Sequence, residues 1–225
     1  MTNFIDAAGP RTITWSSKTD VAYLNLRDQL LDGRLSPGTV LDQEALARDL
    51  GLSTTPVREA LRRLEVEGLI SQGSHRAMRV PELSVRELDD LFAIRLQLDP
   101  WAARLGSERA TDTERAELRR LADDGSDVPA RELLVRNRQL HRLMYATSGN
   151  AELTTLLDGL WDRCDRYRMN LYRMVLLSDE HAADTAANEH RRMVDAFNKK
   201  NLDRLAQLVT RHLTGSYDAL RAKLQ

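Results

Sequence analysis

The sequence predicts a mainly α protein in two parts: three helices with a β-hairpin, then an all-α antiparallel bundle. Three observations carry this. Apolar residues recur at helical spacing through most of the 225 residues. Ala, Leu, Arg, Asp and Glu dominate while aromatics make up only 5%, a composition that favours helix over strand. Only Leu69 to Val80 reads as strand, two short runs around a glycine turn.

The first eighty residues justify their elements in order. Val21, Leu24, Leu26, Leu30 and Leu31 mark a first helix, and Gly33 stops it. Leu35-Ser36-Pro37-Gly38 makes a tight turn. Asp42 caps a second helix with Ala45, Leu46 and Leu50 inward, and Gly51 ends it. Ser53 is placed as the N-cap of a third helix. Pro56 is tolerated in its first turn, where the amides have no intrahelical acceptor. Val57, Ala60, Leu61 and Leu64 form its buried face, which stops near Gly68. Three helices and a hairpin make a winged helix-turn-helix.

Composition bounds the function more than it names it. A chain that is 42% hydrophobic and 30% charged is ordinary for one or two folded domains. The single cysteine, Cys164, excludes an internal disulfide and a cysteine-built zinc site, and it fits a reducing, cytoplasmic setting. No apolar run approaches the roughly 20 residues of a membrane span, so no membrane partner is expected. Residues 1–18 read as a tail without the basic start and apolar core of a secretory signal. The net charge of −1 does not speak for nucleic acid, and acidic and basic residues nearly cancel within Asp20 to Val80. The placement of the cations must decide.

They concentrate on the third helix. Ser53, Thr54 and Thr55 set hydroxyls beside its free N-terminal amides, and Arg58 and Arg62 project from the outer face with Arg63 beside them. Amides and hydroxyls suit phosphate, and a guanidinium can fork onto guanine. At the wing tip His75 and Arg76 are placed to reach the backbone or minor groove. A solvated, Arg-rich helix of a protein-interaction module shows the same charges. The run from Leu41 to Leu64, above all Thr55-Pro56-Val57-Arg58-Glu59-Ala60-Leu61, resembles the DNA-binding domain of the GntR family, as do Leu35-Ser36-Pro37-Gly38 and Glu67-Gly68-Leu69-Ile70. The likeness spans residues 19–81. It implies DNA contacts at Arg58, Ser53 and Thr55, and departs from the family's usual arginine at Thr54.

From residue 82 to 225 only helices follow, about six. Ser84 to Glu87 and Thr111 to Glu114 have capping-box spacing; Pro129 and Asn150 mark later starts, with a loop at Asp123 to Pro129. Polar residues interrupt the apolar stripes. Arg95 lies among Leu88, Leu91, Phe92, Leu98, Ala102 and Leu105. Asn137 and His141 share a face with Leu133, Leu134, Leu140, Met144 and Ser148. His190 joins Ala186, Ala187, Met193, Val194 and Phe197, and His212 joins Leu205, Leu208, Val209 and Ser216. A buried unpaired polar group costs about 1–3 kcal/mol, so these residues must meet partners inside. One inward histidine is most simply a donor to a carbonyl. Three of the chain's five point instead to a shared divalent transition metal, zinc or nickel, with Asn137 and His141 at i and i+4 gripping from one helix. Glu189 neighbours His190 but points about 100° away and is set aside as a ligand.

Asn137-Arg138-Gln139-Leu140-His141, Ala146-Thr147-Ser148-Gly149-Asn150, Glu189-His190-Arg191 and Arg211-His212-Leu213 resemble the FCD ligand-sensing domain of FadR-type GntR regulators. The resemblance implies a metal held by three histidines and an Asp, whose place Asn137 takes. It also implies an arginine facing the pocket, Arg95, and a homodimer on a roughly palindromic double-stranded DNA operator. The expected protein is a DNA-binding regulator, a repressor, controlled by a small carboxylate that meets the metal and Arg95. Arg163 is a second effector candidate whose alternative is a surface ion pair. Two other classes compete: a metal-responsive regulator without organic effector, and a metal-dependent enzyme, which lacks an evident inward general base.

Overall fold

The computed structural model describes residues 17–73, 77–123, 130–168 and 182–225. The chain divides into two compact units, the first ending at Pro81 and the second running from Glu82 to Gln225 and taking in Leu31–Gly33 as well. Among the described residues there are nine helices and one two-stranded sheet. None of these helices is long and apolar enough to cross a membrane.

In the first unit α1 (Lys18–Leu31), α2 (Gln43–Leu50) and α3 (Thr54–Val66) precede the hairpin of β1 (Ser71–Gln72) and β2 (Met78–Arg79). Asp42 accepts from the amides of Glu44 and Ala45, and Gly51 closes α2 at φ 65°, a left-handed turn that glycine adopts without strain. The hairpin is antiparallel, with Ser71 opposite Arg79 and Gln72 opposite Met78. Val40 bridges to Arg79 as well, and backbone bonds stitch Gly38, Thr39 and Leu41 to β2. The proline turn therefore leads into a third edge of the wing, for which the local sequence carries no strand signal. On α1 the buried face is Ala22, Tyr23, Leu26 and Leu30, whereas Val21 and Leu24 are exposed. Of the expected stripe Leu26 and Leu30 are buried as read, while at the start of the helix the smaller Ala22 and the amphipathic Tyr23 take the inward places of their larger apolar neighbours.

The described residues of the second unit form six helices: α4 (Val85–Arg109), α5 (Asp112–Asp123), α6 (Ala130–Ala146), α7 (Ala151–Tyr167), α8 (Ala182–Asn198) and α9 (Leu202–Leu224). The 25-residue α4 is its spine, packing on α6, α7, α8 and α9. Caps expected from sequence are formed at α5, where Thr111 and Glu114 bond reciprocally, and at α7, where Asn150 accepts from the Leu153 amide. At α4 the box is half made. The Ser84 hydroxyl takes the Glu87 amide, but the Glu87 carboxylate turns to α7. The expected loop and helix start at 124–129 lie outside the described residues.

The crossing of α4 over α6 is close. A Cβ on Gly106 would collide with the Met144 carbonyl oxygen and come 2.5 Å from the Thr147 hydroxyl. Beside it the Ser107 hydroxyl donates to the Phe197 carbonyl at 2.7 Å, tying α4 to α8. Gly106→Ala is expected to lower stability by about 1–3 kcal/mol, read as a reduced urea midpoint, because backbone must move to admit the methyl.

Candidate functional site

The outer face of α3 carries Thr54, Thr55, Arg58 and Arg62, all exposed, opposite buried Pro56, Val57, Ala60, Leu61 and Leu64. Ser53 takes the N-cap position with extended backbone, φ −76° and ψ 165°, but its side chain makes no cap hydrogen bond. The expected hydroxyl cap is thus absent, and the hydroxyl remains beside the first-turn amides, where phosphate can use it. Arg63 differs from its neighbours. Its guanidinium lies 3.7 Å from the Tyr23 ring centroid and pairs with Glu67 at 3.3 Å and Asp20 at 3.6 Å. The Tyr23 hydroxyl donates to Glu67 at 2.8 Å; burial, with Glu67 beside it, pushes the phenol up to about 12. Arg63 is a strut between α1 and α3. His75 and Arg76 lie outside the described residues.

The second constellation lies in the bundle. His141 of α6, His190 of α8 and His212 of α9 converge, with ligand nitrogens all within 4.8 Å of one another. Their ring centroids stand 4.8–5.3 Å apart. Nε2 of His141 and Nε2 of His190 are buried without a hydrogen-bond partner among the described residues. Burial, then the neighbouring His212, holds both rings well below the ordinary histidine range, with Arg168 adding to each and Arg95 to His141. They are neutral at neutral pH, as metal ligation requires. Asn137 is buried one turn before His141, and one atom of its amide has no partner. A half-turn of the amide puts either oxygen or nitrogen there. Converging neutral nitrogens with unused lone pairs fit a divalent transition metal.

Around this cluster the structure adds groups that periodicity does not expose. Trp161 of α7 is 2% exposed and lies 5.0 Å from the His141 ring. Arg95, Arg138 and Arg168 approach its ring at 3.8, 5.2 and 5.3 Å. Arg95, 1% exposed, donates Nη2 to Asp99 at 2.8 Å, and its Nε has no partner among the described residues. Burial opposes the Arg95 charge, but Asp99 and Cys164 outweigh it and keep the guanidinium protonated. Asp99, one turn on, is masked in the sequence by its apolar neighbour Leu98, the expected inward residue. Leu98 is only partly buried. Glu189, set aside as a ligand from its direction on α8, reaches across to α9 and lies 2.8 Å from Nδ1 of His212. No single-helix pattern could reveal it, because the contact joins two helices.

Arg163 does not serve the cluster. Its Nη2 donates to Glu87 at 2.8 Å, and its side chain is 38% exposed, so the ion-pair alternative is what the structure shows. Glu87 also receives Arg166 and, at 2.6 Å, the Tyr167 hydroxyl. Burial alone would raise this carboxyl, but Tyr167, Arg163 and Arg166 hold it below its usual range. The Tyr167 hydroxyl lies 3.2 Å from both the amide nitrogen and the carbonyl oxygen of Ser84. The end of α7 thus grips the start of α4, just past the boundary between the units.

A helix-turn-helix with a wing, followed by a helical unit built around a polar cluster of histidines and arginines, is the organisation of a DNA-binding regulator. The family models agree in both halves. That of the bacterial regulatory proteins of the gntR family matches residues 18–80, and that of the FCD domain matches 90–215. The chain belongs to the GntR family of transcription regulators, with an FCD domain. It is 26% identical to the uncharacterized HTH-type transcriptional regulator YdhC of Bacillus subtilis over 90% of this chain and 91% of that protein. With the HTH-type transcriptional repressor GlaR of Escherichia coli it shares 26% over 85% and 90% respectively. The solved structure of E. coli McbR/YncC superposes with a TM-score of 0.82 at 26% identity, covering 93% of this chain and all of that one. These relatives are regulators and not enzymes.

Two outcomes are expected. Arg58→Ala abolishes specific operator footprinting without changing the thermal midpoint, whereas Arg63→Ala lowers the midpoint, since only Arg63 holds the fold. The second concerns pH. An unfolded histidine takes its proton near 6.5, but His141 and His190 take theirs well below that in the fold. Between those values the unfolded chain binds more protons, so stability rises with pH. In metal-free protein this contribution is complete above about 6.5 and is lost as pH falls through the folded values. The urea midpoint is expected to drop from pH 7.5 to 5.5, and to drop less in the double variant His141→Asn, His190→Asn.

Proposed function

We propose that this regulator is a cytoplasmic repressor, a homodimer on a roughly palindromic operator, whose DNA affinity is set by a small organic acid bound beside a divalent metal. The observation that carries the reading is the meeting of three imidazoles, two with unused buried nitrogens, within reach of the Arg95 and Arg168 charges. His141, His190 and His212 would hold the metal with Asn137 as a fourth, neutral donor; zinc and nickel suit such nitrogens. A bound metal supplies a Lewis-acidic anchor for a carboxylate. The chain's own contribution is the buried cation: Arg95 retains an unpartnered Nε–H although Asp99 occupies another of its donors. Ser53, Thr54, Thr55, Arg58 and Arg62 read the DNA, and Thr54 alters the operator preference relative to arginine-bearing relatives. Repression is supported by the similarity, over most of both chains, to the transcriptional repressor GlaR.

One observation favours a second reading, a metal-responsive regulator without organic effector. The Arg95–Asp99 pair already neutralises the buried cation that an anionic effector would need. Titrating purified protein first with zinc and then with a panel of carboxylates, while following operator release, separates the two. Release by zinc alone supports the second reading, release by an acid only in zinc-loaded protein supports the first, and no effect from either refutes both.

Asn137→Asp is expected to tighten zinc binding at least tenfold in competition with a chromophoric chelator, because it adds a formal charge to a neutral donor set. Replacing His141 and His190 together is expected to remove the metal from protein as isolated, read by elemental analysis.

A further inference from the structure

We propose that Glu189 is the positioning residue of the metal site: its carboxylate holds His212 in the tautomer that offers Nε2, and supplies the negative charge that the donor set lacks. The proposal rests on the metal reading above.

The geometry is specific. Glu189 and His190 are successive residues of α8, so their side chains leave the helix about 100° apart. His190 turns to the histidine cluster, and Glu189 reaches α9 to meet Nδ1 of His212 at 2.8 Å. An ionised carboxylate only accepts hydrogen bonds, so a neutral His212 must carry its proton on Nδ1. The lone pair is then on Nε2, the same nitrogen that His141 and His190 leave unpartnered. Three rings presenting one kind of nitrogen need no tautomer change to take an ion. Arg211 approaches the other carboxylate oxygen at 3.5 Å, from the exposed side.

The charge balance points the same way. Three neutral imidazoles and the Asn137 amide bring no formal charge to a dication. The nearest guanidiniums, Arg95 and Arg168, already face acids on their own helices, Asp99 at 2.8 Å and Asp165 at 3.6 Å, the latter shared with Arg138 at 3.8 Å. Within the described residues Glu189 is the carboxylate bonded to a ring of the cluster. It stands one hydrogen bond beyond the ligand, where a charge both orients the imidazole and raises its basicity.

The test uses full-length, metal-free protein as wild type, Glu189→Gln and Glu189→Ala. Glu189 is a quarter exposed, so both variants are expected to keep the helical circular dichroism of the wild type. Zinc affinity, measured by chelator competition, is expected to fall about 10–100-fold in Glu189→Ala. In Glu189→Gln the amide oxygen still accepts from Nδ1, so its smaller loss reports the charge alone. Independently of any metal, the imidazole ¹⁵N spectrum should show His212 as the Nδ1–H tautomer in the wild type and as a mixture in Glu189→Ala. The proposal is overturned if Glu189→Ala binds zinc as tightly as the wild type. It is equally overturned if wild-type His212 carries a proton on Nε2, the mark of a plain His–Glu ion pair. Should the wild type take up no zinc while keeping the Nδ1–H tautomer, the metal reading itself fails and the role falls with it.

Discussion

The second unit is organised by the cost of keeping water away from polar groups. Imidazoles, an amide and guanidiniums sit in the middle of an apolar bundle, and each buried polar atom left without a partner costs about 1–3 kcal/mol. The bundle meets part of that cost internally. Asp99 sits one turn after Arg95 on the same helix, Trp161 offers its ring face to the same guanidinium, and Glu87 collects Arg163, Arg166 and Tyr167. What is left over among the described residues includes Nε2 of His141 and His190, the Asn137 amide, Nε of Arg95 and Nε1 of Trp161, together with Oδ1 of Asp99, Nη1 of Arg138 and Nε of Arg163. A bundle of this kind gives up stability for a place where something polar can bind.

Helix α7 joins that place to the start of α4. Along its last two turns it alternates between two tasks. Trp161 and Cys164 face Arg95, while Arg163, Arg166 and Tyr167 hold the first turn of α4. Ser84, bonded through its backbone to Tyr167, is three residues from the end of the DNA-binding unit. Under the proposed function, an occupant that drew Arg95 or Trp161 toward itself would act on the helix that holds the start of α4, and its effect on DNA could be no larger than its difference in affinity between the states it selects.

What is legible in the sequence is local. Asp42, Thr111 and Asn150 can be read as caps because their partners lie two or three residues away. Asn137 and His141 can be read together because one helical turn fixes their common face. The histidines of α8 and α9 are legible as interruptions of apolar stripes. Errors arise where side-chain size competes with phase, as with Val21 and Leu24 on α1 or Leu98 on α4, whose neighbours Ala22 and Asp99 take the inward positions. Glu189 and Arg63 escape a sequence reading for another reason. Their partners, His212 and Tyr23, lie on other helices, and no periodicity along one chain segment encodes such a contact.

Asn137 sharpens what remains. An aspartate there would add a charge to the donor set and draw a dication more strongly; an asparagine leaves neutral donors facing two guanidinium-bearing walls. Such a set discriminates against hard cations, which need anionic oxygen, and in favour of ions that bind imidazole well. Under the proposed function, a bound ion would keep more unneutralised charge to offer a carboxylate ligand, an attraction that Arg95, tied to Asp99, would not provide on its own. The asparagine that weakens the protein's hold on the metal would then strengthen the metal's hold on an anionic effector, and binding of each would raise the affinity for the other.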